Sequence, residues 1–303
     1  MENKSFIAKY AKLLVIVAVF CGSASGPIAT IISCPPLMIG FGRLTIALPF
    51  FAIPVFRNPE KRRMLKEMDK EQFFTTMATG IFLFMHFFCW FSAVKYTNVS
   101  AAAVLASFHP IVVLLLTIFV YKKKVPGKAI IAILIALAAG AYLLCSDFSA
   151  FSDGNLMGKL LALGAGIFMG IYFAVGGRVR PKMDGSIYVM LIFFWCWVCF
   201  TIACIVTGTP VVGYTAMDYI GIIALAFVCQ IGAHAMFNLC MGHVDSLYVS
   251  AWESMDPVTS TILAIIIASQ IPSVTEVICC IIVVAALLAY TRYSAEGENN
   301  VQS

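Results

Sequence analysis

Long apolar runs joined by short polar connections fill this chain, and that pattern decides the solvent it folds in. A hydrocarbon layer of ~30 Å takes ~20 apolar residues of helix to cross. Runs of that order fall near 11–31, 36–56, 73–94, 98–120, 127–146, 156–176, 187–207, 218–240, 246–269 and 274–291. In lipid every backbone N–H and C=O must be paired within the chain, so the runs must be helices. Of the 303 residues 61% are hydrophobic and 12% charged, and the mean hydropathy is +0.96. Soluble domains carry roughly 25% charge, and half of that cannot cover a water-exposed surface of this size. The expected fold class is all-α integral membrane, with ten transmembrane helices.

The basic residues test that count. With the N-terminus inside, Lys4, Lys9, Lys12, Arg57, Lys61, Arg62, Arg63, Lys66, Lys70, Lys122, Lys123, Lys124, Lys128, Arg178, Arg180, Lys182 and Arg292 all fall on one side. Only Lys95 and Lys159 fall on the other, and Arg43 lies within the second run. The positive-inside rule then places both termini in the cytoplasm and the chain in the cytoplasmic membrane as a multi-pass protein. The net charge of +5 is explained by this face and calls for no nucleic-acid partner. The start imitates a secretory signal, with Lys4, Lys9 and Lys12 before an apolar stretch, and is expected to be an uncleaved first span. Ten of the 11 cysteines sit inside apolar runs, where cysteine behaves as a small hydrophobe. Cys196 and Cys199 form a C-x-x-C without a second pair at zinc spacing, so no metal and no cofactor are expected.

Shifting the chain by 147 residues brings its halves into register. Lys12-Leu13-Leu14 falls on Lys159-Leu160-Leu161, and His109-Pro110 falls on Asp256-Pro257. The expected organisation is a first five-helix repeat over 1–147, a second over 148–291 and a polar cytoplasmic tail over 292–303. Five is odd, so the second copy enters the membrane in the opposite sense. Such inverted repeats are a transporter architecture, with the substrate site near the midplane between copies.

The stretch from Trp90 through Ser92, Tyr96, Asn98 and Ser100 to Ala103, followed by Phe108-His109-Pro110-Ile111, resembles the signature region of the drug/metabolite transporter superfamily, EamA type. Size, span count and duplication resemble that family over nearly the whole chain. Members often carry a glutamate just after the fourth span, where this chain has Lys122-Lys123-Lys124, so no role of that glutamate is carried over. The resemblance implies transport, commonly export, of amino acids, their relatives or other small metabolites. It also implies a central cavity lined by helices three, four, eight and nine.

An ionised group at the centre of a span costs at least ~2.5–3.5 kcal/mol, so polar residues within the runs are candidates for function. In the ninth run Ser246, Glu253, Asp256 and Ser260 fall within an arc of about 80° on a helix. Glu253 and Asp256 are candidates for substrate binding and for coupling to a proton or cation. The competing reading is an ion pair with Arg43 or His234 that docks helices. In the eighth run Gln230, His234 and Asn238 recur at i, i+4 and i+8 and line a cavity or hydrogen-bond between helices. His86 and Trp90 share a face of the third run. His109 stands opposite Asp256 in the duplication, and each precedes a proline that frees backbone carbonyls. Trp90 and Trp252 can wall a cationic group. Arg43 can snorkel outward, gate the path or balance the acids. Gly22 with Gly26, and Gly166 with Gly170, are read as close-packing positions.

The expected function is a secondary transporter of a small metabolite (an amino acid, an amine or a related compound), exporting by alternating access, with proton coupling as one mode. An importer of an organic cation such as choline needs the same cavity. An integral-membrane enzyme is the remote alternative, since no H-x-x-x-H, H-E-x-x-H or G-x-S-x-G occurs, and no catalytic residues are assigned. A Walker motif is absent from the sequence as well. Expected partners are the small-molecule substrate, membrane lipid and a coupling proton, with the chain as monomer or homodimer.

Overall fold

A computed structural model describes residues 6–119, 126–145, 155–244, 249 and 252–302. Among these residues all regular structure is helical. Seven helices are long and apolar enough to cross a membrane: Phe6–Ile31, Pro36–Arg57, Lys70–Tyr96, Val99–Leu116, Asn155–Val179, Gly185–Thr207 and Ala216–Cys240. Gly127–Leu143, Asp256–Ala268 and Val274–Tyr290 are apolar but shorter. Among the described residues, seven of the ten expected runs hold an apolar helical stretch of spanning length and the other three hold shorter ones. The 13 residues of Asp256–Ala268 rise only ~20 Å.

Local sequence sets most helix ends. The first run forms α1 (Phe6–Ser23) and α2 (Ser25–Ile31), with a kink at Ala24. It is already helical at Phe6, ahead of the expected 11, because Lys9 and Lys12 are good helix formers. α3 (Pro36–Arg57) opens on proline, which suits a first helical position. α4 (Pro59–Lys66) is capped by Asn58, whose side chain accepts from the N–H groups of Glu60 and Lys61. Asp69 and Gln72 form a capping box for α5 (Lys70–Tyr96). The fourth run splits into α6 (Val99–Ala106) and α7 (His109–Phe119) at Ser107 and Phe108. Pro110 cannot donate to the Ala106 carbonyl, which ends the ladder there.

α8 (Gly127–Cys145) and α9 (Asn155–Val179) follow. Asp184 caps α10 (Gly185–Thr207), which ends at Gly208 with φ 66°. Burial pushes the Asp184 carboxyl up, but hydrogen bonds from Ile187 N–H, Lys61 and Ser186 N–H hold it below the ordinary carboxylate value. Lys61 Nζ lies 3.2 Å from Asp184 Oδ1. The eighth run is α11 (Ala216–Ala224), a π-helical stretch Leu225–Ala235 and α12 (Met236–Cys240). Arg180 closes its C-terminal end, donating from Nε to Asn238 O at 2.7 Å and from Nη2 to Leu239 O at 3.1 Å.

α13 (Asp256–Ala268) and α14 (Val274–Gln302) complete the described chain. The expected polar tail is helical through Gln302, continuous with the last run. The ninth run is not one uninterrupted helix, because a turn at Ser254 and Met255 precedes α13. Lys4, Lys122, Lys123, Lys124 and Ser246 lie outside the described residues.

The helices pack as a bundle around one apolar core. α5 lies along α9, and α1 lies along the π-helical stretch. α3 pairs with α10, and α8 with α14. α6 and α7 rest on α9, while α13 rests on α1, α2 and α6. Glycines allow the closest of these approaches. A Cβ on Gly166 would stand 2.6 Å from Ala106 O, and one on Gly170 2.7 Å from His109 O. α9 is thereby held directly against the break between α6 and α7, so this G-x-x-x-G serves packing within the chain.

Candidate substrate cavity

A cavity of about 70 Å³ sits where these contacts converge, several times the room one water requires. Its wall is Val19, Gly22 and Ser25; His86, Phe87 and Trp90; Ala106, Ser107 and His109; Met169; His234 and Phe237; Glu253 and Asp256. The first, third, fourth, sixth, eighth and ninth runs all contribute. Six sequence candidates meet here: His86, Trp90, His109, His234, Glu253 and Asp256.

The two acids have different surroundings. Glu253, its side chain 12% exposed, places Oε2 3.6 Å from His109 Nε2. That is ion-pair range for a protonated imidazole and too long for a hydrogen bond. Neither atom has a hydrogen-bond partner among the described residues. Asp256 is held on one oxygen. Ser23 Oγ donates to its Oδ1 at 2.6 Å and Ser260 Oγ at 2.9 Å. The Val19 carbonyl, 2.9 Å from Ser23 Oγ, competes for the serine proton. Glu253 thus faces His109, not Arg43 or His234.

The remaining wall is aromatic and imidazole. Trp90 Nε1 donates to Ser25 Oγ at 2.9 Å, which fixes the indole against α2. His86 Nδ1 donates to Ala165 O at 2.9 Å, so that nitrogen carries the proton. His234 meets Phe87 edge-on with centroids 4.7 Å apart, and its Nδ1 has no partner among the described residues.

Four candidates lie off the wall. Asn238 donates to Tyr172 Oη at 2.5 Å and to His234 O at 2.6 Å, which ties it to α9. Gln230 is fully buried, with neither amide atom paired among the described residues. The expected i, i+4, i+8 face assumed 3.6 residues per turn, whereas the observed stretch bonds i to i+5 and winds wider. Of those three residues only His234 reaches the cavity wall. Trp252 packs against the apolar core. Arg43 is 0% exposed and does not snorkel. Its guanidinium carbon lies 4.3 Å from the centroid of Phe87 and 5.3 Å from that of Phe91.

Ser23 and Ser25 were not singled out in the sequence. Their signal is the run Gly22-Ser23-Ala24-Ser25-Gly26, whose small residues also fit a packing seam.

Comparison with known proteins bears on the whole arrangement. Residues 9–145 match the EamA-like transporter family. This part of the chain is similar to EamA-like transporters. An "Uncharacterized transporter" from Clostridium kluyveri is 24% identical over 212 residues, covering 66% of this chain and 66% of that protein. The chain thus spans just under two thirds of that relative's length. A solved crystal structure matches 96% of this chain and 99% of its own, with a TM-score of 0.64 at 19% identity, a likeness of fold alone. The resemblance carried by Trp90 to Ile111 therefore holds. The EamA-like match and the membrane-length helices together point to a multi-pass membrane protein.

Proposed function

We propose that this chain is a secondary transporter that carries a small metabolite with a positive group across the cytoplasmic membrane by alternating access, in the export direction. One observation carries the proposal: two carboxyl groups, Glu253 and Asp256, open on one membrane-embedded cavity with an indole in its wall. No Lys or Arg lies within 4 Å of either carboxylate among the described residues. Buried acids without a fixed cation are costly unless protonated or matched by a cationic ligand. A proton and a substrate cation that displace one another at such a site give coupled antiport. The one-sided distribution of basic residues supports a cytoplasmic position for both termini.

Several features support two inverted five-helix copies, 1–147 and 148–291. The contacts of α5 with α9 and of α1 with the π-helical stretch exchange under the duplication. The α3–α10 and α8–α14 contacts map onto themselves. Five pairs within the cavity wall differ by the same 147 positions: Gly22 and Met169, Phe87 and His234, Trp90 and Phe237, Ala106 and Glu253, His109 and Asp256. A cavity lined by such pairs lies on the relating axis.

The test uses proteoliposomes with a trapped pH dye, to which amino acids and amines are added in turn. A substrate-dependent proton flux is expected for the wild type and lost in Glu253→Gln or Asp256→Asn. Unchanged flux in both folded variants would make the acids structural.

A further inference from the structure

Arg43 is a polar group that the acid site does not use. It is fully buried in the second span, and Nε, Nη1 and Nη2 all lack hydrogen-bond partners among the described residues. No carboxylate comes within 4 Å of it among those residues. Stacking on Phe87 and Phe91 offsets only part of what burying a guanidinium costs. The fold does not require a cation at this point. The position 147 residues on is Met190, which is 4% exposed and packs with Val55, Ile187 and Leu191. An unpaired arginine where the related site holds methionine has a role other than packing.

Phe87 links this group to the cavity. Its ring lines the cavity, carries Arg43 at 4.3 Å and meets the unpaired His234 at 4.7 Å. One aromatic ring therefore separates a buried guanidinium from a cavity that holds two carboxyl groups. We propose that Arg43 is the anion-binding end of this cavity. It takes the carboxylate of a substrate whose cationic group sits against Glu253 and Asp256, so the cargo is a zwitterion and not a simple amine. The planar fork of the guanidinium matches the two oxygens of a carboxylate. Contact is made when Phe87 turns on its side-chain torsions. The inference rests on the acid site proposed above and adds the second charge of the cargo.

Matched pairs that differ in the carboxylate isolate the claim: glycine betaine with choline, L-lysine with cadaverine, and L-valine with isobutylamine. Binding of each to the purified full chain is measured for the wild type, Arg43→Met, Arg43→Lys and Glu253→Gln. Among pairs that bind, the zwitterion should bind about tenfold or more tightly than its amine, the scale of a lost charge-assisted hydrogen bond. Arg43→Met should abolish that preference, leave amine affinity as in the wild type and melt no lower. Arg43→Lys should keep only part of the preference. If Arg43→Met does not fold, the lysine variant carries the same test.

Zwitterion affinity unchanged in the Arg43 variants, a wild type that prefers the amines, or a folded chain that binds no member of any pair would each overturn the proposal. So would acetate raising choline affinity to that of betaine, since the anion would then be a separate ion. Glu253→Gln keeps the two readings apart. If it leaves both members of a pair unaffected while Arg43→Met removes the preference, the acid site fails and the anion site stands.

Discussion

Two turns in the bundle sit 147 residues apart and share one backbone plan. Ser107 and Phe108 precede α7 at His109-Pro110, while Ser254 and Met255 precede α13 at Asp256-Pro257. Each proline removes the donor for the carbonyl four residues back, at Ala106 and at Glu253. The side chains differ where the backbones agree. Ala106 and His109 carry no acid, whereas Glu253 and Asp256 carry two. The neighbouring helix differs in step. Gly170 lets α9 touch His109, and the corresponding Ser23 gives its hydroxyl to Asp256. A broken helix is thus common to both turns, while the acidic pair belongs to the second alone. Inference about function should weigh the residues that part company under the repeat.

The largest expected effect breaks or keeps that division. Asp256→Ala should abolish substrate-dependent flux and cost about 1–3 kcal/mol, because the Ser23 and Ser260 hydroxyls lose their acceptor. Flux that survives would return the second break to the same scaffold role as the first. Gly170→Ser, which imports the residue of the other copy, should destabilise by about 1–3 kcal/mol, since its Cβ would press on Val112 Cβ and His109 O. A melting curve in detergent equal to the wild type would show that close approach is dispensable there. The reverse swap, Ser23→Gly, meets no clash and should cost about 1–2 kcal/mol through the lost bond to Asp256 and added chain freedom.

Asp184→Ala, remote from both turns, should cost about 1 kcal/mol as a lost cap and leave flux unchanged. Its pH dependence has a fixed sign. The folded carboxyl titrates below its unfolded value, so its contribution is full above that value and fades as pH falls through the folded one. Melting of wild type and Asp184→Ala should therefore converge in acid. A gap that widens on acidification would contradict the cap.

Much of this was legible beforehand, for stated reasons. Apolar run length marked the helices, because lipid leaves the backbone one way to pair. Charge within a span marked Glu253, Asp256 and His109, because it costs too much to be incidental. The turn before Asp256 was not seen, although Pro257 was in view. A proline predicts a fault in the ladder but not whether the chain kinks or restarts. Ser23 escaped because its value lies in what stands opposite, 233 residues away. For Gln230, His234 and Asn238 the spacing left cavity lining and helix–helix bonding open, and only what stands opposite each residue, such as Tyr172 against Asn238, separates the two.

The wide ladder of Leu225–Ala235 has a consequence of its own. A π turn stores one residue more than an α turn needs, with every N–H still given to a carbonyl. Moving that residue along the helix trades one complete set of bonds for another, and no bare amide meets hydrocarbon. Each such step turns only the residue it passes by about 100° and shifts it ~1.5 Å, while the chain on either side keeps its place. In the eighth span that spare residue would let His234 be re-aimed while the segment remains a helix throughout.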